Sequence, residues 1–548
     1  MSSQPNGHLN SRSRNTPRPT GVRFLAAAAV VVLVAACSHG SKAPSAGPVT
    51  ATPIHHLVVI FQENISFDHY FGTYPHAANT DGQPFTAKPG TPAVNGLTPD
   101  LLTHNPNSAQ PIRLGGLGQQ LTCDQRHEYQ TEQLSSNGGA MDRFVEHDEG
   151  APCVPPFFST PGLVMSYYDG NSVTALWNYA QRYSMSDNFH GTIFGPSTPG
   201  HINLVSGQTH GITTKYTPDG RPFPPRAVID DAGNGQGTLI ADPQPLGDDC
   251  SSQEQVQFSA DNKNIGDLLN AKGVTWGYFQ GGFKPTSRKP DGTAVCGATH
   301  NIGEILGGTG KTGALPFGTR TDYLPHHEPF QYYPSTANPH HLPPSATDKI
   351  GFTDQANHQY DLSDFWAAAD GGHLPSVSIL KPPGYQDAHA GYSDPLDEQQ
   401  FLVETVNHLQ KLPEWRDMAI VIAYDDSDGW YDHQPPVIVS PSATAEDALD
   451  GPGKCGDAGG APIVYQGRCG YGPRLPLLVI SPYAKTNFVD HTLTDQSSIT
   501  RFIEDNWSTG RIGDHSFDER AGVLDGMFDF KGPTQPTVTL DAHTGNPQ

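Results

Sequence analysis

The sequence predicts an α/β fold built on a mostly parallel sheet with helices on both faces. Three observations predict it. Apolar runs of about six residues occur without polar alternation, as in strands covered on both faces. A unit of helix, turn and buried strand recurs along the chain, and polar, chemistry-bearing residues follow directly after several of the runs.

The first strand is residues 56–61 (HLVVIF). Ile265–Lys272 (IGDLLNAK) has helical spacing, Gly273 suits a C-terminal cap, and residues 274–279 read as the strand that follows. Leu362–Asp370, Gly371-Gly372 and residues 375–380 (PSVSIL) repeat the unit. Between residues 397 and 412, Leu402, Val406 and Leu409 fall on one helical face. Met418–Tyr424 (MAIVIAY) and residues 475–480 (LPLLVI) are further buried strands. Gln496–Trp507 closes the pattern as a helix with Ile499, Phe502 and Ile503 on one side. Residues 79–119 and 211–255 are polar and rich in Pro and Gly, so they are expected to be loop insertions rather than domains. Sheets of this kind bind ligands at the carboxyl ends of their strands, which directs attention to the residues just beyond each run.

The chain has 548 residues, enough for one large domain or a few ordinary ones. Asp and Glu number 56 against 32 Lys and Arg, for a net charge of −24, and no cluster of five or more basic residues occurs. That excludes the electrostatic footprint of a nucleic-acid-binding protein, and the acidity itself identifies no substrate. Gly (59) and Pro (50) are far above average usage, as expected for a folded core carrying long surface loops.

Arg12, Arg14, Arg18 and Arg23 precede an apolar run, residues 24–36, that is too short to span a bilayer comfortably. It ends Val34-Ala35-Ala36-Cys37, which resembles a bacterial lipoprotein box with Cys37 as the lipidated residue. The expected organisation is a signal peptide (1–36), a flexible tether (37–50), a catalytic domain (51–530) and a C-terminal tail (531–548). The expected location is the cell envelope, with the membrane reached through the lipid anchor and no protein partner. Six cysteines remain beside Cys37, an even count that favours disulfides outside the cytoplasm. Of fifteen pairings, proximity suggests Cys123 with Cys153, Cys250 with Cys296, and Cys455 with Cys469.

Gln62-Glu63-Asn64 follows the first strand, and Asp425-Asp426 follows Tyr424. Glu63, Asn64, Asp425 and Asp426 therefore reach the same sheet edge. Adjacent carboxylates repel unless a cation lies between them, which suits a hard divalent ion; solvated strand-end turns are the alternative. Ser197 precedes Pro199 at a predicted helix start, where a hydroxyl meets free backbone N–H groups and suits phosphate, or else caps the helix. His127, His326, His327 and His389 sit in dense polar contexts and could donate to a phosphate or protonate a leaving oxygen. His340-His341 is read as surface.

The chain resembles the bacterial phosphoesterase family that includes the respiratory-burst-inhibiting acid phosphatases and the haemolytic and non-haemolytic phospholipases C. The blocks HLVVIFQENISFDHYFGTYP, FGPSTPGHINLVSGQTHG, PHHEPFQYYPSTANPHH, AHAGYSDPLDEQ, YDDSDGWYDHQPP, GYGPRLPLLVISPYAK and DQSSITRFIEDNW carry the resemblance. It implies an alkaline phosphatase-like three-layer α/β/α sandwich and one divalent metal ion held by Glu63, Asn64, Asp425 and Asp426. It implies Ser197 as nucleophile, with His127, His326, His327 and Asn64 toward the phosphoryl group and His389 toward the leaving group. Asp425-Asp426 stands where many phospholipases have Asp-Glu, and Ser197 where they have Thr. Both departures, with the HHEPFQYY block, point to an acid phosphatase acting on phosphomonoesters. The alternatives are a phospholipase C cleaving headgroup diesters and a non-catalytic surface lipoprotein that binds phosphorylated ligands. The Ser197-Thr198-Pro199-Gly200-His201 frame matches the sulfatase nucleophile frame with His in place of Arg, which argues for Ser197 over Thr198 and against a sulfatase.

Overall fold

Successive side chains of a strand point to opposite faces, so a strand buried at every position must be covered on both sides. Met418–Tyr424 is buried throughout, as is Val377–Lys381. The computed structural model, which describes residues 49–153, 157–230, 233–303, 318–456 and 462–548, places both in one large sheet. The expected signal peptide, Cys37 and all but the end of the tether lie outside the described residues.

In chain order the sheet strands are β1 (His56–Gln62), β2 (Ser184–His190), β3 (Trp276–Gln280), β4 (Gln359–Asp361), β5 (Val377–Lys381), β6 (Met418–Tyr424), β7 (Arg474–Ile480), β8 (Phe488–Asp490) and β9 (Thr494–Asp495). Their spatial order is β4-β3-β5-β1-β6-β7-β2-β8, with β9 also on β2. All pairings are parallel except the two made by β7, so the sheet is mostly parallel as expected. β1 and β6 pair without a break from His56 opposite Met418 to Gln62 opposite Tyr424.

The helices that matter for the site are α1 (Ser197–Ser206), α2 (Ile265–Lys272), α3 (Leu362–Asp370), α4 (Pro395–Leu409) and α5 (Gln496–Trp507). Their starts are written in the sequence. Asn264, Asp361 and Asp495 form capping boxes, and Asp394 accepts from Leu396 and Asp397 with Pro395 in the first turn. Gly273 ends α2 in the left-handed region (φ 67°), which costs a residue without Cβ little. α1 packs on α5.

Four features depart from the sequence reading. β2 (SMSDNFH) is too polar to be recognised as a strand, yet nearly all of it is buried. The stretch 211–255 is not bare loop: His210–Tyr216, Val228–Ile229, Gly237–Leu239, Gln244–Pro245 and Gln255–Phe258 form a second, five-stranded sheet. Residues 531–548, set apart as a tail, pack onto the end of α4: Val538 and Leu540 donate to Gln410 and Asn407, and Leu540 is fully buried. His341 is not at the surface; its ring is buried 3.1 Å from Asp248, whereas His340 is exposed.

The three disulfides are Cys123–Cys153, Cys250–Cys296 and Cys455–Cys469, the pairing suggested by proximity. Among the described residues no helix is long and apolar enough to cross a membrane.

Candidate active site

Beyond the last paired residues of β1 and β6 the two chains stay joined. Asn64 donates its backbone N–H to Asp425 Oδ1 at 3.0 Å, and Ile65 donates to the carbonyl of Asp426 at 2.9 Å. Asn64 sits in the left-handed region (φ 43°), a strained conformation that Asn tolerates better than most residues. This turn brings Glu63, Asn64, Asp425 and Asp426 to one place, all buried.

α1 arrives at the same point. Ser197 is its first residue, and the cap position is Pro196, so Ser197 does not cap the helix. Its hydroxyl lies 3.1 Å from Asp426 Oδ2 and 3.3 Å from Asn64 Oδ1. Gly200 makes this approach possible, because a Cβ there would collide with the carbonyl oxygen of Asp425. The N–H groups at the helix start are less free than expected: Thr198 donates its own to Asp242 Oδ1 at 2.8 Å, and Pro199 has none.

The carboxylate of Glu63 is used asymmetrically. Oε1 meets Lys381 Nζ at 2.9 Å, His201 Nε2 at 2.9 Å and His327 Nδ1 at 3.2 Å. Oε2 is buried and has no hydrogen-bond partner among the described residues, and the same holds for Asp425 Oδ2. Two orphaned oxygens from two carboxylates, an amide oxygen and a third carboxylate make a donor set that fits a hard divalent cation. Electrostatics agree. Burial would raise Glu63, but His327, Lys381 and His201 together hold it well below the usual carboxylate range. Burial and the neighbouring charges of Glu63 and Asp426 push Asp425 well above that range. Asp426 is pushed up to about 7 by burial, against the pull of His127. A cation between them would relieve that repulsion.

Of the four sequence-predicted histidines, two reach this cluster: His327 through Glu63, and His127, whose Nε2 lies 3.3 Å from Asn64 Nδ2. Its Nδ1 lies 3.2 Å from Asp428, and Asp426, Asp428 and Asp124 raise its pKa well above the ordinary value despite burial. His327 is held from behind, since Tyr278 of β3 donates its hydroxyl to the His327 carbonyl. His326 packs edge-on against it, with ring centres 4.1 Å apart, and accepts a long hydrogen bond (3.5 Å) from Thr198 at its carbonyl. Burial, assisted by Arg320 and Lys381, keeps His326 below its ordinary pKa. His389 stands one layer out, 5.9 Å from the His127 ring and stacked on Tyr392. Its Nδ1 is tied to the carbonyl of Ala390 at 2.5 Å, and burial lowers its pKa.

Two participants were given no role from sequence. His201 lies one helical turn after Ser197 on the same face, so its i, i+4 spacing was the available signal. Lys381 is the last residue of β5, a basic residue closing an apolar run at the carboxyl edge of the sheet.

Against known proteins, the model of the Phosphoesterase family matches residues 54–510. Phospholipase C A of Mycobacterium tuberculosis is 23% identical over 520 residues, covering 90% of this chain and 81% of that protein. Non-hemolytic phospholipase C of Burkholderia pseudomallei is 24% identical over 464 residues, covering 83% of this chain and 55% of that protein. Among solved structures, a protein in the alkaline phosphatase superfamily from Vibrio parahaemolyticus matches 72% of this chain and 71% of its own, at 11% identity and a TM-score of 0.27.

Proposed function

The chain belongs to the Phosphoesterase family, and from that premise we propose that it is a metal-dependent phospholipase C-type hydrolase with Ser197 as nucleophile. The relatives it matches are phospholipases C, which supports the diester reading over the phosphomonoester preference drawn from Ser197, Asp426 and the HHEPFQYY block. One observation carries the catalytic assignment: the Ser197 hydroxyl lies 3.1 Å from Asp426 and 3.3 Å from Asn64, two of the four residues that could hold the ion.

Glu63, Asn64, Asp425 and Asp426 would hold the ion, which when bound draws charge from the phosphoryl oxygens and acidifies the serine hydroxyl. The chain's own groups do the rest. Ser197 Oγ forms the bond to phosphorus as the ester P–O bond breaks, and its proton passes to Asp426, the acceptor already in place. His127, His326 and His327 donate to the equatorial oxygens as charge spreads over them. His389, in its protonated form, would give its Nε2 proton to the departing alcohol, with Nδ1–H held by the Ala390 carbonyl, and regain a proton from the water that later attacks. Water then cleaves phosphoserine. We also propose export and anchoring through Cys37; the three disulfides support an oxidising compartment.

The test is turnover of phosphatidylcholine in mixed micelles and of p-nitrophenyl phosphate, for wild type and Ser197→Ala, with metal analysis on both. Loss of turnover with metal retained is the expected result. Full activity of Ser197→Ala would remove the serine from the mechanism, and a monoester rate far above the diester rate would restore the phosphatase reading.

A further inference from the structure

Two cavities border the surroundings of the α1 start: Pro196, Asp242 and Pro243 line one, and Gln244 lines the other together with His326, whose carbonyl accepts from Thr198. One, of ≈ 500 Å³, begins at Pro196 and has an apolar wall that includes Tyr129, Pro224, Ala227 and Ile240. The other, of ≈ 400 Å³, begins at His326 and is lined by Arg320, Lys289, Gln244, Asp249 and the Cys250–Cys296 disulfide.

The second cavity holds a cation that the proposed chemistry does not use. Arg320 lies on the short strand Thr319–Thr321, with its guanidinium carbon 3.8 Å from the centre of the Tyr392 ring. Its Nε is buried without a hydrogen-bond partner, and among the described residues no carboxylate forms an ion pair with it. The acid in the same wall, Asp249, is already engaged: Oδ2 accepts from Ala294 at 2.8 Å and Oδ1 meets His340 at 3.3 Å. Lys289 is exposed and adds positive charge at the rim. A guanidinium held over a ring face carries its N–H groups in a planar fork, which matches a carboxylate or phosphate. The buried Nε of this fork costs free energy while it lacks a partner, and an anion in the cavity would supply one.

We propose that Arg320 and this cavity form a subsite for a second anionic group, carried on the polar arm of the phosphoester substrate. The inference rests on the phosphoester reading and names the substrate class for it: esters whose polar arm bears a further phosphate or a carboxylate. The group could belong to a lipid headgroup or to a soluble sugar phosphate, since the recognising chemistry is shared.

Two matched pairs separate these sources: phosphatidylinositol 4-phosphate against phosphatidylinositol, and glucose 1,6-bisphosphate against glucose 1-phosphate. Within each pair only the second phosphate differs. Wild-type enzyme is expected to prefer the member with the second phosphate in at least one pair by about tenfold or more in kcat/KM, and Arg320→Met to bring that ratio near one. Arg320→Lys, which keeps charge but loses the fork, should fall between them and serves where the Met variant does not fold. No preference in wild type, or a preference unchanged in both variants, overturns the subsite while leaving the hydrolase reading intact. Absence of turnover on all four substrates and on phosphatidylcholine overturns both.

Discussion

Lys381 Nζ lies 2.9 Å from Glu63 Oε1, and neither side chain is exposed to solvent. The ammonium also reaches Asp387 at 3.1 Å, and Asp387, Glu63 and Asp425 raise its pKa above the ordinary value against the effect of burial. Lys381 thus helps fix one oxygen of Glu63 and leaves the other, Oε2, without a hydrogen-bond partner among the described residues. Removing one partner of such a buried pair is expensive, because the remaining charge has nowhere to go. Lys381→Met is expected to destabilise the fold by about 3–5 kcal/mol, measured by urea denaturation. Metal binding should weaken in parallel, read by equilibrium dialysis.

Metal should act as a stabilising ligand, since the donor set converges only in the folded chain. At about a hundredfold excess over Kd, an ion that binds only the native state adds about 2.7 kcal/mol, a few degrees in Tm. Chelation is expected to remove that increment. Asp425→Asn, which keeps the shape of the side chain, should melt at the same temperature with and without added metal.

Gly200 offers a sharper test of geometry. Alanine favours a helix interior over glycine by about 1 kcal/mol, so Gly200→Ala would be stabilising if only propensity mattered. Here the added methyl meets the Asp425 carbonyl and must push α1 off the end of β6. Displacing Ser197 by even about 1 Å is expected to cost about a hundredfold in kcat, with far-ultraviolet circular dichroism unchanged.

His69 predicts a pH dependence of stability. Burial lowers its pKa to about 3; its Nδ1 lies 2.6 Å from the Ser166 carbonyl, and its ring stacks on Trp430 at 4.1 Å. In the unfolded chain a histidine titrates near 6.5. Between those values the unfolded state binds a proton that the folded state refuses. The stabilising contribution is therefore complete above about pH 6.5 and is lost as pH falls toward 3, by an amount on the order of a few kcal/mol. His69→Phe is expected to flatten this part of the stability profile, measured by urea unfolding between pH 7.5 and 4.5.

The legible parts of the molecule were those where apolar surface alone decides the outcome. β1 and β6 show as uninterrupted apolar runs, so the positions of Glu63, Asn64, Asp425 and Asp426 follow from where those runs stop. β2 was hidden because its buried positions are polar and satisfied by hydrogen bonds: Ser184 donates to the carbonyls of Lys485 and Met527, and His190 bonds the carbonyl of Gly472. No hydropathy pattern records such partners. The five-stranded sheet was hidden for a related reason: its strands are short and interrupted by Pro and Gly. Lys381 was missed because a lone lysine at a strand end is ordinarily solvated. Only the convergence of β5 on β1 shows that it is paired.

The unbroken alignment of β1 with β6 limits how the sequence can drift. Adding or deleting one residue inside either strand would turn its last side chains to the opposite face of the sheet. Glu63 and Asn64 would then part company with Asp425 and Asp426, however well the core repacked. Surface loops can lengthen freely at little entropic cost. The two seven-residue strands are the ruler of the molecule, and their length is the quantity that cannot change by one.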